Sequence, residues 1–154
     1  MIENYHIKVA EKDIQLLKDK IKLTRLPDEI NHKWTFGTDK TFLKDLLNTW
    51  SNDFDWRIHE NKINEIGSYR FTSKSGLKIH FIHSKSGKEN ALPIVMTHGW
   101  PGSIQEFLKI IPIIQKNSQI PIDIICPSLP GFGFSDKPTK VGMNSEQIAK
   151  FNMN

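Results

Sequence analysis

The sequence predicts an α/β fold in which an N-terminal helical segment packs on the first strands of an incomplete β-sheet. Three observations predict it. Apolar residues recur at three- and four-residue steps up to about residue 65, the period changes to strand-like alternation near Ile66, and two short apolar runs then flank a helix-like stretch. With 38% hydrophobic and 25% charged residues, the 154-residue chain has the composition of an ordinary globular protein, which excludes collagen-like, disordered and disulfide-rich classes.

The helical segment contains three predicted helices. The first must end before Pro27, the second has Thr38 or Asp39 as a candidate N-cap, and a third, weaker helix runs from Asp55 to Ile63. None of their apolar stripes is wide enough to form a core alone, so we expect the helices to cover another layer. The stripes consist of Ala10, Ile14, Leu17 and Ile21; of Leu43, Leu46, Leu47 and Trp50; and of Trp56, His59 and Ile63.

Four strands are predicted, near residues 67–73, 77–84, 92–97 and 122–126. The first two alternate in polarity and are separated by a turn at Gly76, which predicts an antiparallel hairpin. The last two are largely apolar, as strands buried in parallel sheets are, and we expect them to be parallel. The segment between them, 103–116, has helical spacing that Pro112 shortens or kinks. The run 122–126 is expected to be an exposed sheet edge that promotes association.

Composition also bears on nucleic-acid binding, on membrane insertion and on the cellular location of the protein. The net charge of +4 comes from lysines scattered among acidic residues, which is typical of a solvated surface and does not indicate a nucleic-acid partner. No apolar run is long enough for a membrane span, and the N-terminus lacks a signal-peptide pattern. Cys126, the single thiol, has no internal disulfide partner, so we expect a reducing, cytoplasmic location.

No cofactor or metal site is predicted. Gly131 and Gly133 follow a strand, but Asp136 stands where a dinucleotide-binding fingerprint requires glycine. A Gly-x-Ser-x-Gly nucleophile elbow is also absent from the sequence. His80 and His83 are expected on opposite faces of one strand, so each is interpreted as a core or surface histidine rather than a ligand.

Two segments follow the apolar strands, where ligands bind in open α/β sheets. Residues 98–103 read His-Gly-Trp-Pro-Gly-Ser, which predicts a tight strand-to-helix turn with Ser103 as the helix cap. Residues 127–136 form the second segment. Backbone N–H groups of the 98–103 turn would point into the crevice and suit the stabilisation of an oxyanion. A purely structural turn fits the spacing equally well.

Three motifs occur in order along the chain: Phe-Asp-Trp-Arg at 54–57, Thr-His-Gly-Trp-Pro-Gly-Ser at 97–103, and Pro-Ser-Leu-Pro-Gly-Phe-Gly-Phe-Ser at 127–135. Together they resemble the microsomal and juvenile-hormone type of epoxide hydrolase, from about Leu26 to Ser135. The resemblance implies an epoxide hydrolase N-terminal region over residues 1–112, with a helical wrap at 1–65. It further implies a partial α/β-hydrolase core over residues 66–154.

The resemblance also implies a mechanism. In such enzymes an Asp carboxylate attacks the epoxide carbon, two lid tyrosines protonate the leaving oxygen, and a His with an acidic partner activates the water that hydrolyses the ester. By matching position, Trp100 would donate its backbone N–H to the oxyanion hole, while His98, Gly99 and Pro101 shape the turn, with a cis Trp100-Pro101 peptide. The alternative role for Trp100 is that of a packed aromatic residue.

The family's nucleophile lies beyond the helix that residues 145–149 open, and the last histidine of the sequence is His98. The nucleophile, charge relay and lid tyrosines therefore have no counterpart here, and Asp136 lies in a loop without an elbow. We expect a truncated, N-terminal portion of an epoxide hydrolase, inactive and poorly stable alone, whose complete form acts on a small-molecule epoxide. Two alternatives remain: a non-enzymatic remnant or binding module, and an α/β-hydrolase with another substrate, such as a haloalkane or ester.

Overall fold

The computed structural model describes residues 1–30 and 34–152. These residues form two compact units. The helical unit comprises Lys8–Glu60. The sheet unit comprises Met1–Ile7 together with the chain from Asn61 onward.

The helical unit contains α1 (Glu11–Lys22), α2 (Lys40–Asn52) and the first part of α3 (Trp56–Ile66). All three helices were predicted from the apolar spacing. Helix α1 packs against α2. The Asp39 carboxylate accepts a 2.9 Å hydrogen bond from the Phe42 N–H, so Asp39 is the cap of α2. Helix α3 continues three residues past its predicted end and stops before Gly67, whose φ of +108° favours glycine.

A buried carboxylate holds the helical unit together. Glu60 is only 4% exposed, and its Oε1 accepts hydrogen bonds from the Val9 N–H at 2.6 Å and the Trp56 indole at 3.0 Å. Its Oε2 accepts a 2.7 Å hydrogen bond from Arg57, which also pairs with Glu11 at 2.9 Å. Burial by itself would raise the pKa of Glu60, but these hydrogen bonds outweigh it and lower the pKa. Glu60 is therefore a charged, fully bonded group.

The sheet has five strands in the order β1-β2-β3-β5-β4. The β2–β3 hairpin is antiparallel and β4 is parallel to β5, as predicted. Pairing of β3 with β5 is antiparallel, with Ile82 opposite Cys126, so the described sheet is mixed. The strands are β1 (Ile2–Asn4), β2 (Ser68–Thr72), β3 (Lys78–Ser84), β4 (Leu92–Val95) and β5 (Ile122–Pro127).

Strand β1 was not predicted. It pairs antiparallel with β2, with Ile2 opposite Phe71, and its flank is held by a 2.9 Å hydrogen bond from the Tyr5 N–H to the Ser68 carbonyl. All three of its residues are exposed, so its sequence shows no buried alternation. The strand exists because β2 offers backbone partners, which is a tertiary effect that no local pattern reports.

The prediction that 122–126 forms the sheet edge was wrong. β5 lies between β3 and β4, and its Ile122 and Ile124 are buried. Within the described residues, the strand at this edge is β4, where Leu92 is 48% and Val95 51% exposed. Both runs are short and largely apolar, so composition gave no means of ordering them across the sheet.

The predicted helix over 103–116 is two elements. A 3-10 helix covers Ile104–Phe107, and α4 covers Ile110–Asn117. Pro112 is the third residue of α4, where the first turn needs no N–H donor, so proline is accommodated and the interruption falls before it. The helix expected near Ser145 is α5, Ser145–Asn152, and the Asn144 side chain accepts from the Gln147 N–H at 3.0 Å.

Isoleucine dominates the core of the sheet unit. Its fully buried large residues come from β3, β5, the helices and the segment after β1. β-branched side chains of this kind pack well on a pleated surface, which gives the strands that carry the site a rigid base. The fully buried apolar residues are Ile7, Ile63, Ile79, Ile82, Ile104, Ile111, Ile124 and Cys126. Among the described helices, none is both long and apolar enough to span a bilayer.

Candidate functional site

The 98–103 turn follows β4 at the end where the parallel strands β4 and β5 both terminate. The Met96 N–H still bonds to the Ile125 carbonyl at 2.9 Å, and the chain then leaves the sheet. The Gly102 N–H donates to the Gly99 carbonyl at 2.7 Å, which closes a tight turn around Trp100 and Pro101. The peptide between these two residues is cis, as predicted.

Trp100 lies at the tip of this turn. The residue is 84% exposed, so it is not a core aromatic of the sheet unit. Within residues 1–30 and 34–152, its backbone N–H has no hydrogen-bond acceptor. The turn therefore presents a backbone donor at the carboxyl end of parallel strands, where ligands of open α/β sheets bind.

A capping box fixes the exit of the turn. The Ser103 N–H donates to the Glu106 carboxylate at 3.1 Å, and the Ser103 hydroxyl accepts from the Gln105 N–H at 3.3 Å. Ser103 is thus the helix cap that the sequence predicted. A side chain at Gly102 would clash with the Glu106 carboxylate, and its Cβ would lie 3.0 Å from the Gly99 carbonyl oxygen. Glycine therefore fits this position without displacing the Glu106 side chain.

His98 connects the turn to the next loop. It is 3% exposed, and its Nε2 accepts a 3.1 Å hydrogen bond from the Leu129 N–H. Its Nδ1 lies 3.1 Å from the Gly99 carbonyl oxygen, which can only accept. These two partners assign the neutral ring with its proton on Nδ1. The ring also meets Phe132 edge-on, with centroids 5.4 Å apart. His98 therefore shapes the turn through its side chain.

The second segment, 127–136, begins with Pro127 at the end of β5, and we call its remaining residues, 128–136, the Ser128 loop. Ser128 is fully buried and bonded through each of its polar groups. Its N–H donates to the His80 carbonyl at 2.8 Å, its hydroxyl contacts His80 Nδ1 at 2.8 Å, and its carbonyl accepts from the Ser135 hydroxyl at 2.7 Å. The loop is thereby fastened to β3.

The two glycines of the Ser128 loop serve its shape. Gly131 and Gly133 have φ of +86° and +50°, a region that L side chains rarely adopt. A Cβ at Gly133 would lie 2.8 Å from the Ser128 hydroxyl oxygen. The Asp136 carboxylate accepts a 2.9 Å hydrogen bond from the Lys78 N–H and closes the loop on β3. These contacts account for the glycine pair as loop geometry.

His80 is a site residue whose role the sequence did not reveal. Its ring is fully buried, with Nε2 2.9 Å from the Ser68 hydroxyl and Nδ1 bonded to Ser128. Burial, and to a smaller extent the nearby Arg70 charge, lower the pKa of His80 to about 4, so the ring is neutral at pH 7. In the sequence His80 is one of two histidines in a strand of alternating polarity, and the serines that contact it give no pattern of their own.

His80 and His83 have separate partners on β3. His83 Nε2 lies 3.5 Å from the Asp123 carboxylate, whereas the ring of His80 bonds to the hydroxyls of Ser68 and Ser128. The Ser86 N–H donates to Asp123 at 2.7 Å, and this hydrogen bond lowers the pKa of Asp123. Within the described part of the chain, no group of three or more His, Cys, Asp or Glu side chains is placed to hold a metal ion.

The sheet and its turns define the class of the protein. A parallel strand–helix–strand unit beside an antiparallel hairpin, with glycine-rich turns after both parallel strands, is the beginning of an α/β-hydrolase sheet, and residues 93–152 match the family model of the α/β hydrolase fold. Residues 2–107 match the model of the epoxide hydrolase N terminus, and the chain belongs to that family.

Individual relatives agree with this membership. A protein of Stigmatella aurantiaca proposed to be an epoxide hydrolase is 43% identical over 97% of this chain and 35% of its own length. Epoxide hydrolase 1 of Sus scrofa is 36% identical over 97% of this chain and 35% of its own. The crystal structure of juvenile hormone epoxide hydrolase from Bombyx mori superposes with a TM-score of 0.87 at 28% identity, covering all of this chain and 42% of that one. The chain thus spans about a third of the length of these curated relatives.

Proposed function

We propose that this chain is the N-terminal portion of an epoxide hydrolase that converts an epoxide and water into a vicinal diol. In the first step a carboxylate oxygen bonds to an epoxide carbon, and the epoxide C–O bond breaks. In the second, water adds to the carbonyl of the resulting aspartyl ester and releases the diol. The carboxylate, the base and the lid tyrosines would come from outside these 154 residues.

The second step gives this chain its role. Addition of water to the ester places a negative charge on the former carbonyl oxygen, and a preorganised N–H stabilises it. The backbone N–H of Trp100 has no hydrogen-bond acceptor among the described residues, and this observation supports the role most directly. His98, Gly99 and Pro101 would hold that donor in place. Loss of one such donor costs roughly 3 kcal/mol of barrier.

The domain division follows as part of the proposal. Residues 1–112 would form the epoxide hydrolase N-terminal region, and residues 66–154 the first part of the hydrolase core. The two ranges overlap because the hairpin and β4 are shared. In the complete enzyme the partner is a small-molecule epoxide, because the relatives are named for that substrate class.

The chain alone is proposed to be inactive. An oxyanion donor stabilises a charge only after an ester has formed, and ester formation requires a nucleophile. We expect purified chain incubated with styrene oxide to form no more diol than a heat-killed control. Turnover that a substitution within this chain abolishes would show that the catalytic residues have been misplaced.

Self-association is proposed at β4. Strand β4 is the exposed edge of the described sheet, and an unpaired edge of apolar residues invites pairing with a second copy. Val95→Lys places a charge on that edge. We expect it to reduce any concentration-dependent association measured by light scattering, whereas equal association of parent and variant would exclude the edge.

The catalytic role is tested in a chimera. This chain replaces the matching third of the Stigmatella aurantiaca relative, and diol formation from styrene oxide is measured. Trp100→Ala keeps the backbone N–H, whereas Trp100→Pro removes it. We expect Trp100→Pro to slow ester hydrolysis about 100-fold or more and to accumulate the ester in single turnovers, with Trp100→Ala much closer to the parent. Equal ester-hydrolysis rates for both variants would overturn the oxyanion role.

A further inference from the structure

We propose that His80 is a positioning residue for the 98–103 turn. It acts through Ser128 and Leu129 on His98, and through His98 on the orientation of the Trp100 N–H. The proposal rests on the function proposed above for the turn. His80 itself touches no reacting atom. Its ring fixes the loop that holds the turn.

The His80 ring is locked on every side. Both ring nitrogens bond to serine hydroxyls, Ser68 from β2 and Ser128 from the loop, at 2.9 and 2.8 Å. The rings of Tyr5 and Phe134 meet it edge-on, with centroids 5.8 and 5.4 Å away. Rotation of the imidazole would break both hydrogen bonds in a fully buried site, so one ring orientation is strongly preferred.

That orientation determines the position of Ser128. The Ser128 hydroxyl is hydrogen-bonded to His80 Nδ1, and the Ser128 backbone N–H donates to the His80 carbonyl. Ser135 closes the arrangement, because its hydroxyl accepts from the His80 N–H at 2.9 Å and donates to the Ser128 carbonyl. Arg70 adds a hydrogen bond to the Phe134 carbonyl. Several hydrogen bonds to His80 therefore hold the Ser128 loop in position.

From Ser128 the path reaches the turn in two steps. The next residue, Leu129, donates its N–H to His98 Nε2 at 3.1 Å, and His98 Nδ1 contacts the Gly99 carbonyl at 3.1 Å. The same carbonyl accepts from the Gly102 N–H that closes the turn. Trp100 and Pro101 lie between Gly99 and Gly102, and the Trp100 N–H belongs to the same planar peptide unit as the Gly99 carbonyl. A shift of Ser128 is thus transmitted to the orientation of the Trp100 N–H.

A buried, bonded histidine is a costly way to fill a core position, since an apolar residue would need no partners. The hydrogen bonds of His80 give it a use at this position, because they align the Ser128 loop with the 98–103 turn. Misplacement of a catalytic group by about 1 Å costs on the order of 100-fold in rate. The expected effect falls on ester hydrolysis, where the oxyanion forms, and spares the first step, where it does not.

The direct test is NMR of the 154-residue chain labelled with ¹⁵N. Ring spectra report the tautomer of His98, and hydrogen exchange reports the Leu129 N–H. We expect His80→Phe and Ser128→Ala to mix the His98 tautomers and to speed Leu129 exchange about tenfold. His83→Phe is the matched control on the same strand, and it should leave both signals unchanged. Should His80→Phe fail to fold, Ser128→Ala removes only one oxygen and tests the same link.

Unchanged His98 and Leu129 signals in folded Ser128→Ala would overturn the proposal. In the chimera, His80→Phe should lower the single-turnover rate of ester hydrolysis while leaving ester formation near the parental rate. A parental ester-hydrolysis rate with His80→Phe would also overturn it. An inactive parent chimera whose His98 responds to Ser128→Ala would instead overturn the proposed function and support the positioning contact, so the two failures are distinguishable.

Discussion

The Leu129 N–H donates to Nε2 of His98 across 3.1 Å and joins two glycine-rich turns that are separated in sequence by an entire helix and strand. This bond requires His98 to be neutral, with its proton on Nδ1. The turn that presents Trp100 is therefore held by a side chain that cannot carry a charge without losing its partner.

Gly102→Ala tests how tightly the 98–103 turn is built. The added Cβ would clash with the Glu106 carboxylate and displace it from the Ser103 N–H. We expect a loss of about 1–2 kcal/mol in the free energy of unfolding from the broken cap. The measurement is urea denaturation followed by circular dichroism. Gly99→Ala is the control, because no described residue other than its two chain neighbours lies within 4 Å of its Cβ position.

Glu60→Gln tests the buried carboxylate of the helical unit. The substitution removes the charge that accepts hydrogen bonds from Val9, Trp56 and Arg57. We expect a loss of about 1–3 kcal/mol in the free energy of unfolding, since hydrogen bonds to charged groups exceed neutral ones. Glu65→Gln, at an exposed position of the same helix, should change stability by less than about 0.5 kcal/mol. Equal effects at both positions would contradict the assignment.

Ile124→Ala tests the place of β5 inside the sheet. Ile124 is fully buried on a strand paired on both sides, so we expect a loss of about 2–5 kcal/mol. Ile113→Ala, on α4 at a position 53% exposed, should cost much less. Thermal melting of the two variants side by side measures the difference. A mild effect at Ile124 would mean that β5 is not a central strand.

The pH dependence of stability tests His80. Its pKa of about 4 lies below the ordinary value of about 6.5, so between these values the unfolded chain binds a proton that the folded chain excludes. Stability contributed by this group is complete above the unfolded pKa and falls as the pH decreases. By about pH 4 the loss is roughly 3 kcal/mol. Urea midpoints of the parent and of His80→Phe, compared at about pH 7.5 and pH 5, isolate this contribution from the carboxylates. Parallel pH profiles would contradict it.

Cys126 is expected to be unreactive in the folded chain. It is fully buried on β5, and burial raises the pKa of its thiol to about 12. The thiolate is the nucleophile, so a disulfide reagent at neutral pH should react with Cys126 only on unfolding. Absorbance of the released thiolate, with and without urea, measures this. If the Cys126 thiol of the native chain reacted as fast as that of the urea-unfolded chain, the result would contradict the burial of β5.

The sequence predicted the elements that depend on local apolar spacing. The helices α1 and α2 and the β2–β3 hairpin follow from apolar spacing, and the Ser103 cap follows from residue type. Strand β1 and the central position of β5 depend on pairings between distant segments, which no local pattern encodes. The turn at His98 was found through its motif. The His80–Ser128 pair was missed, because the hydrogen-bond partner of a serine hydroxyl is set by the tertiary fold and not by the local sequence.

The order of the strands has a consequence for synthesis on the ribosome. Strand β4 precedes β5 in the chain, yet β5 lies between β4 and the hairpin. The nascent β4 therefore has no correct neighbour until β5 has been translated, an interval on the order of a few seconds at usual elongation rates. During that time the free edge of β3 is open to β4 as a wrong partner. Correct assembly of this sheet therefore requires that Leu92–Val95 stays unpaired until β5 is available.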